Sequence, residues 1–200
     1  MHEKIIEIPT ADGRMETFIT HPEADGPFAP VVIYMDVWGL REELYDIARK
    51  VAVVGYYVLL PDLYYRQGRI RHQWRNERGQ MISMHNLEPE RQAQVRAPLQ
   101  KLSEAMVVAD SGAILKFLAR GEPVRHGAVG SIGYCMGAAK LSASPAPISN
   151  ASSPVHVCMA PSSSPRETIP RTVLPTDCVE TFTAVSPRMI PMPHRQYARR

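Results

Sequence analysis

Two hundred residues, 44% hydrophobic and 22% charged, suffice for one domain that buries a core without disulfide support. The net charge of +3 supplies no field that argues for nucleic acid or an anionic membrane, and the longest apolar stretch, "VAVVGYYVLL", is about half of what a membrane span needs. The start, "MHEKIIEIPTADG", has no apolar signal core, and Cys135, Cys158 and Cys178 show no metal-ligand spacing, so the reading is a reducing cytoplasm and no metal.

"KIIEIPT" and "RMETFIT" flank "ADGR", whose Asp12-Gly13 pair signals a hairpin. "VVIYMD" is a β-branched run suited to a strand buried on both faces. Leu40, Leu44, Ile47, Ala48 and Val51 then recur at helical spacing, and Gly55 closes that helix. "YYVLLPD" is a further buried strand, and the spacing of Leu102, Met106, Ala109, Ala113, Leu115 and Leu118 predicts one long helix from Pro98 to Arg120. "HGAVGSIGYC" supplies a strand that ends in a turn. Strands alternating with helices imply an α/β fold with a mostly parallel sheet covered on both faces.

The polar stretch "YYRQGRIRHQWRNERGQMISMHNLEPERQ" is rich in arginine and contains Trp74. Glu77, Glu88 and Glu90 interrupt its charge and no nucleic-acid motif accompanies it. It reads as a solvated excursion over the sheet edge, at the rim of a pocket.

Gly133-Tyr134-Cys135-Met136-Gly137 has the form G-x-C-x-G. A chain that leaves a strand, bends sharply through one residue and enters a helix needs glycine two residues to either side, where backbone approaches backbone. Such a bend exposes Cys135 at the carboxyl edge of the sheet and aims a helix N-terminus at its sulfur, favouring a thiolate and a developing oxyanion. The Met136 N–H, just after the nucleophile, is one oxyanion donor, and the strand-to-loop junction in "VVIYMDVWG" is the place for a second. A small structural cysteine in a strand-to-helix turn is the competing reading.

"YMDVWGLREELYDIARKVAVVGYYVLLPDLYYRQG" followed by "VGSIGYCMG" resembles the dienelactone hydrolase family of α/β-hydrolases (carboxymethylenebutenolidase-like proteins), over roughly residues 5–137. The resemblance implies an α/β-hydrolase fold and a cysteine–histidine–aspartate triad that opens a lactone or similar ester through an acyl-enzyme, with no cofactor. It makes Cys135 the nucleophile and Val37 the other oxyanion amide. It matches Asp36 to the acid that lies beside the resting cysteine, where the best-known members carry glutamate. Asp62 and Tyr64 fit the family's "PDLY" segment, taken as structural. The partner implied is a small-molecule lactone or ester; the oligomeric state stays open.

The chain changes character after Gly137. None of its twelve glycines lies beyond that point, whereas ten of its eighteen prolines do. The expected division is therefore 1–137, the N-terminal part of an α/β-hydrolase domain, and 138–200, a Pro/Ser/Arg-rich, glycine-free segment that is disordered or aberrant and has no secure strand. Asp177, His194 and His156 are poor candidates for the missing triad partners, since none follows a credible strand. A shifted reading frame from near Gly137 accounts for the break. Methionine has a single codon, so the shifted triplets across Met159-Ala160, Met189-Ile190 and Met192-Pro193 must encode glycine, aspartate and alanine. These fit segments the family carries after its nucleophile. Three readings follow: a cysteine-dependent lactone or ester hydrolase, a catalytically silent product of such a gene, and a binding protein with a proline-rich tail.

Overall fold

A computed structural model of the chain describes residues 1–137 and the backbone of a strand at His156–Met159. Within these residues the strands β1 (His2–Thr10), β2 (Gly13–His21), β3 (Ala29–Tyr34), β4 (Tyr56–Pro61), β5 (Gly130–Tyr134) and β6 (His156–Met159) form one sheet. Their spatial order is β1-β2-β4-β3-β5-β6. The β1–β2 and β2–β4 pairs are antiparallel; β3–β4, β3–β5 and β5–β6 are parallel. The first hairpin closes with Thr10 opposite Gly13, and the Thr10 hydroxyl accepts the Asp12 N–H at 3.2 Å.

β3 and β4 lie inside the sheet, which is why each reads as a nearly unbroken apolar run with almost every residue buried. The helix α1 (Glu42–Val53) crosses from β3 to β4. The helices α2 (Pro89–Gln100) and α3 (Glu104–Leu118) carry the chain back from β4 to β5, on the far side of β3. Right-handed crossovers running in opposite directions put α1 and α3 on opposite faces of the sheet. Contacts on both faces agree: the Phe18 ring of β2 lies 4.8 Å from that of Tyr45 on α1, and the Tyr34 hydroxyl of β3 is 2.6 Å from Ser111 on α3. Leu44, Ala48 and Ala52 of α1 are buried with Leu40, and the Gly55 N–H closes the helix on Ala52 O at 2.9 Å.

The one long helix expected from Pro98 to Arg120 is two helices. The chain leaves α2 at Gln100 and restarts at Ser103, whose side chain accepts the Met106 N–H at 3.2 Å. Serine is neutral to mildly unfavourable inside a helix but strongly favoured as an N-cap, so a run of apolar spacing masked a boundary. α2 begins on a proline, whose fixed φ suits a first turn, and buries only Val95 and Pro98.

Where the sequence offered no secure strand after Gly137, the four described residues His156–Met159 form β6, which pairs with β5 from Ser131↔His156 to Tyr134↔Met159; the rest of 138–200 lies outside the described residues. Four residues are too few for alternation to be counted, and the open edge of β5 supplies the hydrogen bonds that define this strand.

The arginine-rich excursion is tied down by carboxylates. Arg66 reaches Asp110 on α3 through two bonds of 2.8 Å and Asp12 in the first turn at 2.7 Å. Arg69 pairs with Glu16 at 2.6 Å, Arg71 with Glu16 and Asp62 at 2.8 Å each, and Arg75 with Glu43 at 2.6 Å. No helix among the described residues is long and apolar enough to cross a membrane. Replacing Ser103 by alanine should lower stability by about 1 kcal/mol in urea unfolding, as loss of a cap does; in one continuous helix the same change would be neutral or stabilising.

Candidate active site

β5 ends at Tyr134 and a helix begins at Met136, so Cys135 alone makes the bend. Its φ is +51°, the one positive value at a non-glycine residue among those described, and its side chain is exposed. An L-residue held in the left-handed region stores about 1–2 kcal/mol of strain, which the surrounding structure must offset. The framing glycine shows how. A Cβ on Gly137 would sit 2.6 Å from Tyr34 O, 2.8 Å from Met35 O and 2.8 Å from Tyr34 Cβ. The helix start is packed against the end of β3 with no room for a side chain. As the first residue of that helix, Met136 has an N–H with no acceptor inside it.

The loop after β3 forms the facing wall. β3 and β5 pair in parallel register up to Tyr34↔Gly133, so two residues later Asp36 and Cys135 leave the same edge on adjacent chains. Val37 is buried, and no backbone acceptor among the described residues takes its N–H. Several bonds hold the loop. Asp36 Oδ1 accepts the Trp38 N–H at 3.0 Å, and Gly39 N–H donates to Asp36 O at 3.3 Å. Gly39 has a φ of +81°, and a Cβ there would meet Ile70 O at 2.5 Å, so only glycine fits. Arg41 donates to both carboxylate oxygens of Asp36 at 2.7 Å and to Gly39 O at 3.2 Å.

The buried Tyr64 hydroxyl joins the two walls, donating to Val37 O at 3.2 Å and lying 3.4 Å from Met136 Sδ. Burial first, then the negative charges of Asp36, Asp62 and Cys135, push its ionisation well above the ordinary tyrosine range, so it stays a donor at neutral pH. Asp62 caps the Tyr64 N–H at 2.9 Å and pairs with Arg71. Burial raises the Asp62 carboxyl, opposed by Arg71. In the "PDLY" segment Asp62 holds the chain by capping Tyr64 and pairing with Arg71, and the tyrosine reaches both Val37 and Met136. Arg41 was not legible in the sequence, since one arginine opening an amphipathic helix carries no signal of its partner.

The excursion folds back over this loop. Leu87 and Val95 pack with Val37 in a small second core, against which Trp38, Trp74 and Met84 are half-buried. The His72 ring stacks on Trp74 at 4.9 Å, the His72 backbone N–H donates to Trp38 O at 3.4 Å, and burial lowers the ionisation of the imidazole. The structure thus brings Cys135, Met136, Val37 and Asp36 to one edge. Among the described residues no histidine makes a hydrogen bond or ion pair with Cys135. Asp177 and His194 lie outside the described residues, and His156 falls in β6, of which only the backbone is described. Replacing Gly137 by alanine should cost about 1–3 kcal/mol through steric overlap and displace Cys135, read as a lowered Tm together with slower alkylation of that thiol.

A model of the dienelactone hydrolase family matches residues 15–172, which extends past Gly137. A carboxymethylenebutenolidase-like protein of Methylorubrum extorquens is 26% identical over 132 residues, covering 66% of this chain and 40% of that protein. One from Escherichia coli is 34% identical over 62 residues, 30% of this chain and 23% of its own length. Among solved structures, a dienelactone hydrolase-like protein from Klebsiella pneumoniae has a TM-score of 0.56 at 24% identity, covering 74% of this chain and 56% of that one. Another, described as m3DLH, has a TM-score of 0.50 at 24% identity, covering 69% and 52%. The chain therefore spans 40% of the Methylorubrum relative and 56% of the Klebsiella structure. With its sheet order, its helices on both faces and the bend at Cys135, the chain belongs to the dienelactone hydrolase family and has the α/β-hydrolase fold.

Proposed function

We propose that the chain is a carboxylic ester hydrolase acting on a small lactone or ester, with Cys135 as nucleophile and the Val37 and Met136 amides as oxyanion donors. The observation that carries this reading is the exposed Cys135 held at φ +51° on a strand-to-helix bend, beside those two amides. Strain persists where the surroundings enforce it, and here it presents a sulfur at the sheet edge. In the reaction the thiolate attacks the carbonyl carbon and the carbonyl π electrons move to oxygen, where the amides stabilise the charge. Collapse breaks the bond to the leaving oxygen, which takes up a proton; water then attacks the thioester, releasing the acid and restoring the thiol. A reducing cytoplasm is the compartment that keeps Cys135 a thiol.

The change in composition after Gly137 favours a second reading, a silent product of a shifted frame. Rapid mixing with p-nitrophenyl acetate separates the two. The hydrolase reading expects a nitrophenolate burst stoichiometric with protein, and a loss of about 10³-fold or more in rate with Cys135→Ser. Absence of any burst from a folded chain, or a burst that survives Cys135→Ser, would sink it. A single-base insertion or deletion near the Gly137 codon, found by sequencing the source DNA, is the result the second reading requires.

A further inference from the structure

The excursion between β4 and α2 lies as a strap over the loop after β3, and both tryptophans of the chain sit where the two meet. Trp38 follows Val37 in the loop and Trp74 belongs to the strap, their rings meeting edge to face at 6.4 Å. His72 joins the two segments: its backbone N–H donates to Trp38 O at 3.4 Å, and its ring stacks on Trp74 at 4.9 Å. The ring Nε2 is buried and has no hydrogen-bond partner among the described residues. A neutral imidazole tolerates that position, whereas an imidazolium brings two N–H donors and a charge, which cost far more to bury unpaired. We propose that His72 is a proton-operated latch: neutral, its ring stays on Trp74 and keeps the strap against Trp38 and Val37; protonated, it leaves the stack for water and the strap loosens over the candidate site. This goes beyond the reading of Cys135 as nucleophile and does not depend on it.

The charges on the surrounding elements supply no counter-ion that would keep an imidazolium in place. On the strap, Arg71 is taken by Glu16 and Asp62, and Arg75 by Glu43 at the start of α1. In the loop after β3, Asp36 is taken by Arg41. Glu77, Glu88 and Glu90 are exposed, and burial pushes Tyr45 and Tyr64 up, so both stay neutral. From α2, Arg91 lies 5.9 Å over the Trp74 ring, so the ring on which His72 stacks already faces one cation. An indole face would otherwise favour an imidazolium, but a second positive charge at the same ring is opposed by the first. Burial accordingly lowers the ionisation of His72 below the ordinary imidazole range. The open state therefore binds the proton more readily than the closed one. The latch holds fully above the ordinary imidazole value of about 6.5 and weakens as pH falls below it.

Because Trp38 and Trp74 are the two tryptophans of the chain, its intrinsic tryptophan fluorescence reports this cluster alone. Quenching by acrylamide, taken as the bimolecular rate constant so that lifetime changes cancel, should rise about two-fold from about pH 8 to about pH 5, with far-UV circular dichroism unchanged. His72→Phe keeps a ring on Trp74 that takes up no proton, and should hold the constant at the parent's alkaline level throughout. His72→Gln, which does not ionise either, should give a value independent of pH. A flat profile in the parent, a rise that comes only with loss of circular dichroism, or a rise that persists in His72→Phe overturns the latch. Should His72→Phe fail to fold, a rise that persists in His72→Gln does the same. Quenching needs no turnover. The expected rise in a chain that shows no ester burst would therefore leave the latch standing and remove the hydrolase reading, and a burst with a flat profile would do the reverse.

Discussion

The helix after β5 begins in contact with the carbonyl oxygens that end β3, at a distance that admits no side chain on Gly137. Much else depends on this close approach. It holds the chain in the bend that forces Cys135 to a positive φ, and it keeps the Met136 amide beside the loop carrying the Val37 amide. Backbone packed this closely positions both amides more rigidly than a mobile side chain could.

Around that contact the sheet edge is organised by arginines. Arg41 gathers the loop after β3, while Arg71 joins Glu16 on β2 to Asp62 after β4. A half-buried carboxylate that lost its partner would retain its desolvation cost with nothing to offset it, so such pairs specify geometry more than they add stability. The excursion between β4 and α2 is anchored through the same chemistry, and its apolar members cover Val37 and Trp38. What reads in the sequence as a basic surface segment is a strap over the site, with Arg66, Arg69, Arg71 and Arg75 each bonded to a carboxylate within the chain.

How far the fold could be read from the chain depended on how local each signal was. β3 and β4 were legible as apolar runs, and α1 from the spacing of Leu44, Ala48 and Val51 and the closing Gly55. The boundary between α2 and α3 was not, because Ser103 lies in the middle of a pattern that satisfies helical spacing on both sides. β6 escaped for a different reason: four residues contain too little alternation, and their pairing with β5 is decided by a strand more than twenty positions earlier.

At the site, the sequence by itself determined the bend and the identity of its exposed residue, because glycine two positions to either side of a cysteine is a local steric requirement. It also marked the junction that carries Val37. Only the tertiary structure decided that Asp36 is bound to Arg41, that the Tyr64 hydroxyl bridges Val37 and Met136, and that His72 and Trp74 lie against Trp38. Backbone conformation is set by neighbours in the chain, whereas the partner of a charge or hydroxyl is whichever group the folded sheet brings within about 3 Å.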